Sequence, residues 1–208
     1  MDSGQYITDA AHEVASTLER HGLNYAIIGG VAASIWGEPR YTKDVDLTVF
    51  VEQGDEQRVV DILLGAFKQR PEFSKQHITR GAVMLLEASN GCPLDITLAT
   101  TLAYEGMVRS RLKTAQLKQG VTVSILSAED LVIYKCIAGR GTDGRDIVSV
   151  ILRQEKKLDV EYCRAVLREF EEHVSKHSVI GMFEDALRKA KTLIRSNAWM
   201  KAAKKRKK

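Results

Sequence analysis

Little in this chain points to a framework held by disulfides, by zinc or by a membrane. Cysteine is scarce: Cys92, Cys136 and Cys163 are odd in number and far apart in 208 residues. That pattern excludes a disulfide framework and a zinc-type ligand spacing, and predicts reduced thiols in a cytoplasmic protein. No apolar run approaches the roughly 18 residues needed to span a bilayer, so no membrane partner is expected. The opening Met1-Asp2-Ser3-Gly4-Gln5 lacks a basic segment followed by an apolar one, so no secretory leader is expected. Histidine is dispersed as well. Only His173 and His177 stand at helical spacing, with no third ligand in reach, and they read as a solvated pair. There is no internal repeat. Acid is missing from one place, the last eight residues, where Lys201, Lys204, Lys205, Arg206, Lys207 and Lys208 stand without a carboxylate. Their six charges exceed the formal +4 of the whole chain, so the remainder carries −2 and is close to neutral.

What is present is a soluble-protein composition, 44% apolar and 28% charged, long enough for one core with an appendage. Ile7, Ala11, Val14, Ala15 and Leu18 recur at helical spacing and predict a helix over 6–21, ended by Gly22. A buried strand over 24–28, a short helix over 31–36 and a strand over 45–51 follow. Trp36 is expected to cap the core near the glycines that precede that short helix. Residues 55–69 read as helix. Residues 82–88 and 93–99 read as antiparallel strands joined through Ser89-Asn90-Gly91, since Asn-Gly favours a tight hairpin. A helix over 101–112 and a strand over 121–126 complete the α/β part. After Leu126 the pattern turns helical, over 128–138, 144–152, 160–174 and 179–196. The expected domains are therefore 1–126, 127–200 and a disordered basic tail over 201–208.

Two constellations carry chemistry. Gly29-Gly30 closes the first strand, and after thirteen residues Asp44 and Asp46 stand in the second, in Asp44-Val45-Asp46-Leu47-Thr48-Val49. Strand side chains alternate, so the two acids share a face roughly 7 Å apart. Like charges on an apolar strand need compensation, and a divalent cation is the simplest kind. The glycines let a phosphate approach the backbone where the next helix begins. Asp95, a lone acid in Cys92-Pro93-Leu94-Asp95-Ile96, is either a third carboxylate of that site or a salt-bridged edge residue, for instance with Arg80. The second constellation is Lys135 in an apolar helix, followed by Asp143 and Asp146. It is either a phosphate contact or a lysine reaching the surface with a local ion pair. Arg40 and Thr42 lie just before the acid pair; Arg40 either meets phosphate or clamps the loop, and reads nearly as well as a surface residue.

Gly29-Gly30, Asp44-Val45-Asp46 and the later Asp95 resemble the polymerase-β-type nucleotidyltransferase superfamily over about residues 20 to 100. The spacer from Gly30 to Asp44 is at the long end of that pattern. Arg40-Tyr41-Thr42-Lys43-Asp44-Val45-Asp46-Leu47, Leu126-Ser127-Ala128-Glu129-Asp130-Leu131, Lys135, Ala138-Gly139-Arg140 and Asp143-Gly144-Arg145-Asp146-Ile147 are similar to the AbiEii/MenT group, several of whose members are toxins of toxin–antitoxin pairs. The resemblance implies an α/β (α+β) nucleotidyltransferase core with a mixed sheet flanked by helices, then a C-terminal helical bundle. It implies that Asp44, Asp46 and Asp95 bind two Mg²⁺ ions, Mn²⁺ being an alternative, with an NTP as substrate. Gly29, Gly30, Arg40, Thr42, Lys135 and Asp146 would bind the nucleotide, with Asp143 as a further candidate for orienting Lys135. The expected reaction moves an NMP to an acceptor hydroxyl, an RNA end such as the 3′ end of tRNA, with an antitoxin protein as partner. The basic tail reads either as a solvated end or as an RNA contact. The alternatives are an antibiotic-modifying nucleotidyltransferase and a catalytically silent nucleotide- or partner-binding module.

Overall fold

The computed structural model describes residues 3–71, 83–100, 103–173 and 177–205. It forms two compact units, Met1–Ala32 with Arg40–Ser127, and Ala33–Pro39 with Ala128–Lys208.

The first unit runs α1 (Ser3–Arg20), β1 (Asn24–Ile27), the start of α2 (Gly29–Trp36), β2 (Val45–Val51), α3 (Glu56–Ala66), β3 (Lys68–Gln69), β4 (Met84–Glu87), β5 (Pro93–Thr100), α4 (Ala103–Ser110), β6 (Lys113–Gln116) and β7 (Thr122–Ile125). The strands form one mixed sheet in the order β3-β4-β5-β2-β1-β7-β6. β2 pairs in parallel with β5, and β1 with β7; the other pairs are antiparallel. α1 packs its stripe of Ala11, Val14, Ala15 and Leu18 inward and lies against β1, β2 and β7. β2 is central and buried along nearly all of its length, which is why it reads as an almost continuous apolar run. Asp46 is the half-buried interruption in that run. The expected hairpin is present: the Ala88 amide donates to the Cys92 carbonyl at 2.9 Å, and Gly91 takes a left-handed φ of +85°. Asn90 Oδ1 also accepts from the Cys92 amide at 3.0 Å.

Three expectations for this unit are corrected. The helix expected to reach residue 69 stops at Ala66, because Phe67 turns extended (φ −125°, ψ 146°) and is buried. Lys68 and Gln69 then pair with β4, and Lys68 Nζ meets Glu87 Oε1 at 2.9 Å. β6 was not expected. It is a polar edge in which only Ala115 is buried, held by pairing with β7 rather than by an apolar pattern. The helix expected over 101–112 is α4, which ends at Ser110; Ala82, Arg80, Thr101 and Leu102 lie outside the described residues.

The second unit holds α5 (Ala128–Ala138), α6 (Asp143–Gln154), α7 (Val160–Glu171) and α8 (Val179–Lys205). Leu131, Val132, Ile147, Val150, Leu167 and Phe183 form its core. Residues 33–39 join it through local hydrogen bonds: Gln154 Nε2 donates to the Trp36 carbonyl at 2.7 Å, and the Glu38 amide to Ser149 Oγ at 2.6 Å. Asp159 caps α7 by accepting from the Tyr162 amide at 2.9 Å, and Ser178 Oγ accepts from the Gly181 amide at the start of α8. α8 continues through 201–205, where the basic run predicts a disordered tail; Ala202 and Ala203 favour helix there. Arg206, Lys207 and Lys208 lie outside the described residues. Among the described residues no helix is long and apolar enough to cross a membrane.

Candidate active site

The register of the two parallel strands sets the site. Val45 stands opposite Leu94 and Asp46 opposite Asp95, so the acid of β2 and the lone acid of β5 are nearest neighbours across the pair. Neighbouring strands lie roughly 4.8 Å apart, and register partners present their side chains to one face. Asp44 leads into β2 and its Oδ1 accepts from Thr42 Oγ1 at 2.9 Å. Asp44, Asp46 and Asp95 are all half-buried rather than exposed.

The glycine pair meets these acids directly. The Ile28 amide donates to the Asp46 carbonyl at 2.9 Å, tying the end of β1 to β2. Gly29 has φ +58°, and a Cβ built there would stand 1.9 Å from Asp46 Oδ2. Two separate constraints therefore demand glycine, a left-handed backbone and a carboxylate resting on the Cα. At Gly30 a Cβ would stand 2.5 Å from Thr42 Oγ1 and 3.3 Å from Arg40 Nη2. The structure thus gathers Gly29, Gly30, Arg40, Thr42, Asp44 and Asp46 at the first turn of α2, whose leading amides have no partner within the helix. Arg40 is exposed, and its Nη1 donates to the Tyr41 carbonyl at 3.2 Å.

A residue that the sequence reading missed sits on Asp95. Arg70 Nη2 lies 2.5 Å from Asp95 Oδ1, both side chains being partly buried, and Arg70 Nε is buried without a hydrogen-bond partner. Arg80, the partner suggested for an edge salt bridge, lies outside the described residues. No local sequence signal pairs Arg70 with Asp95; the pairing follows from residues 68–70 running beside β4.

These residues can be tested against a divalent cation. Carboxylate oxygens on neighbouring strands are the hard donors that Mg²⁺ and Mn²⁺ take. The Gly29 backbone leaves the space that the Asp46 carboxylate occupies. Among the described residues no three acid, histidine or cysteine side chains converge on a single ion-sized point, and Asp95 is engaged by Arg70. Asp44 and Asp46 are donors of the type the cation takes, and the third acid, Asp95, is neutralised by an arginine.

Lys135, Asp143 and Asp146 come together in the helical unit. Lys135 Nζ lies 2.9 Å from Asp143 Oδ1 and 2.7 Å from Asp146 Oδ2, with all three side chains buried. Asp143 Oδ2 also accepts from the Arg140 amide at 2.9 Å. The lysine does not reach the surface, and contact with a phosphate would require it to leave this triad. His177, expected to be solvated, is half-buried. Its Nε2 lies 2.7 Å from the Cys136 carbonyl, and its ring occupies the space beside Gly139 that a Cβ would fill. The three thiols are buried and free. Burial pushes Cys92 up to about 11 and Cys136 up to about 12, and raises Cys163 further, so none is a ready nucleophile.

Comparison with known proteins adds the family. The chain is similar to the antibiotic-resistance factor ANT(2″)-Ia, with a TM-score of 0.53 and 18% identity over 85% of this chain and 100% of that one. A second structure, ANT(2″)-Ia in complex with adenylyl-2″-tobramycin, gives a TM-score of 0.51 and 16% identity over 78% and 97%. An antigenic nucleotidyltransferase-like protein from Paracoccidioides brasiliensis gives 0.47 and 19% over 86% and 94%. The two ANT(2″)-Ia likenesses establish a nucleotidyltransferase-like fold. No curated protein matches the chain. What the matching family model supports is a nucleotidyltransferase, not the narrower AbiEii/MenT group. It covers residues 6–205, and the chain belongs to that family, Nucleotidyltransferase of unknown function (DUF6036).

Proposed function

We propose that the protein is a Mg²⁺-dependent nucleotidyltransferase that moves an NMP from an NTP to the hydroxyl of an RNA end, such as the 3′ end of tRNA. The observation that carries this reading is the pairing of Asp46 with Asp95 across β2 and β5, beside Gly29 and Gly30. Asp44, Asp46 and Asp95 are the residues that would hold divalent cations. Such cations, when bound, polarise the phosphoryl oxygens and offset charge on the attacking and leaving oxygens. The leading amides of α2, freed for close approach by the glycines, receive triphosphate oxygens. Arg40 and Thr42 border the same turn and limit where the triphosphate lies. The acceptor oxygen attacks the α-phosphorus, its bond to the β-phosphate bridge breaks, and pyrophosphate leaves. Asp95, once released from Arg70, stands where it can take the hydroxyl proton or help hold a cation. In this reading Lys135, Asp143 and Asp146 pin α5 to α6.

The toxin role and the antitoxin partner belong to this proposal through the residues that resemble the AbiEii/MenT group. An antibiotic acceptor of the aminoglycoside kind is polycationic and needs an acidic pocket, whereas the groove of the helical unit is lined by Arg145, Arg188 and Lys189 without an acid. A silent binding module has no need of three carboxylates at adjoining positions of two strands.

The test is label transfer from each α-labelled NTP to total RNA in Mg²⁺, beside the Asp44→Ala/Asp46→Ala variant. Wild type should label an RNA band, and the variant should fall by about a thousandfold, since the cation supplies several kcal/mol of stabilisation in the transition state. Equal labelling by the two proteins would remove the acid pair from the mechanism. Absence of any RNA label, with transfer to a small molecule instead, would replace the acceptor.

A further inference from the structure

Inside the helical unit, α6 and α8 leave a groove of about 700 Å³ between them. Arg145 enters it from α6, and Arg188 and Lys189 from α8, with apolar Val148 and Leu193 among its lining. All three cations are exposed, and no carboxylate lines the groove; Arg188 also pairs with Asp185 one turn before it. Leu193, in the groove lining, is 44% exposed, and the adjacent Ile194 is 42% exposed. From Arg188 to Lys208 the sequence carries ten lysines and arginines and no acid. α8 continues as helix out of the groove to Lys205. Arg188, Lys191 and Arg195 recur at helical spacing and are exposed. Positions 188 and 195 lie roughly 10 Å apart along the axis, about the length of three stacked nucleotides at 3.4 Å each.

A cationic track this long without interspersed carboxylates is not the alternating pattern of a solvated helix face, where both signs occur. Its chemistry matches a regularly charged polyanion. An apolar side chain among the cations offers contact with a base or sugar, which an inorganic anion would not use. We propose that the groove between α6 and α8, with α8 as far as Arg195, binds the phosphate backbone of an RNA strand and so holds the acceptor. The choice of RNA over other polyanions rests on the transfer reading above. The charge argument for the surface does not.

The test is fluorescence anisotropy of a labelled single-stranded RNA with the full-length protein, repeated across salt concentrations. The variants are Arg145→Gln/Arg188→Gln/Lys189→Gln in the groove and Lys201→Gln/Lys204→Gln/Lys205→Gln in the tail. Wild type should bind with an affinity that falls steeply with salt. The groove variant should bind about tenfold more weakly or worse, with a salt slope shallower by about two to three, as expected for the loss of three phosphate contacts. The tail variant should keep the groove's share of the slope. These cations are exposed, so the groove variant should retain its far-UV circular dichroism, and an Arg145→Lys/Arg188→Lys variant should recover most of the binding. A groove variant that binds like wild type, with all loss confined to the tail variant, overturns the proposal. So does poly-glutamate competing as well as RNA at equal charge, which would mark an acidic protein as the partner. Titration of the Asp44→Ala/Asp46→Ala variant separates this proposal from the transfer reading. RNA binding retained there, with no transfer by wild type, would sink the reaction and leave the surface standing.

Discussion

Asp46 and Asp95 declare themselves because carboxylates cost free energy inside apolar strands and need a reason to be there. Their neighbour Arg70 does not, because nothing in Gln69-Arg70-Pro71 tells which distant acid an arginine will meet. That pairing depends on Phe67 leaving the helix and carrying residues 68–70 alongside β4. Arg70 holds the acid that a cation would use in the proposed reaction, so the two would compete for Asp95 Oδ1. Both side chains are partly exposed, which limits the pair to about 1 kcal/mol, or roughly fivefold in affinity. Arg70→Gln should therefore tighten Mn²⁺ binding by up to that factor, read by electron paramagnetic resonance titration without any nucleotide. Weaker Mn²⁺ binding in the variant would show instead that Arg70 holds Asp95 in its ligating position.

At the scale of elements, the long periodic helices and the buried strands are legible in the sequence, and β3 and β6 are not. β2 and β5 are written in Val, Leu and Ile, whereas β6 is Lys113-Thr114-Ala115-Gln116 and forms only because β7 offers it an edge. The spacing of Lys135, Asp143 and Asp146 identified a unit that belongs together, while its burial came from the way α5 and α6 pack. This triad should be tested as a clamp between two helices. Lys135→Met leaves two buried carboxylates facing each other without a cation, and breaking a buried pair in this way costs about 3–5 kcal/mol. Urea unfolding should show a loss of that size. The Lys135→Met/Asp143→Asn/Asp146→Asn variant should recover a large part of it, because no charge is then left stranded. A loss below about 1 kcal/mol for the single variant would mean that water already reaches the triad.

For the whole molecule, charge divides along the same line as the fold. Residues 33–39 and 128–208 hold 19 basic and 13 acidic residues, a net +6, whereas the rest hold 12 and 14, a net −2. A triphosphate and a nucleic-acid strand are both polyanions, so an undivided positive field would draw both to the same places. In the proposed reading, a slightly acidic α/β unit would bring a nucleotide in with cations and backbone amides, and leave bare lysines and arginines to the strand. Two ligands should then leave two footprints. Hydrogen exchange in the presence of Mg²⁺ and NTP should slow at the leading amides of α2, from Gly29 to Val31, which lack partners within the helix, and over 40–44. RNA alone should slow exchange over 141–148 and 188–195 and leave the α2 amides unchanged. Protection of the same amides by both ligands would mean that one site serves both polyanions, and the division of charge would then have no part in sorting them.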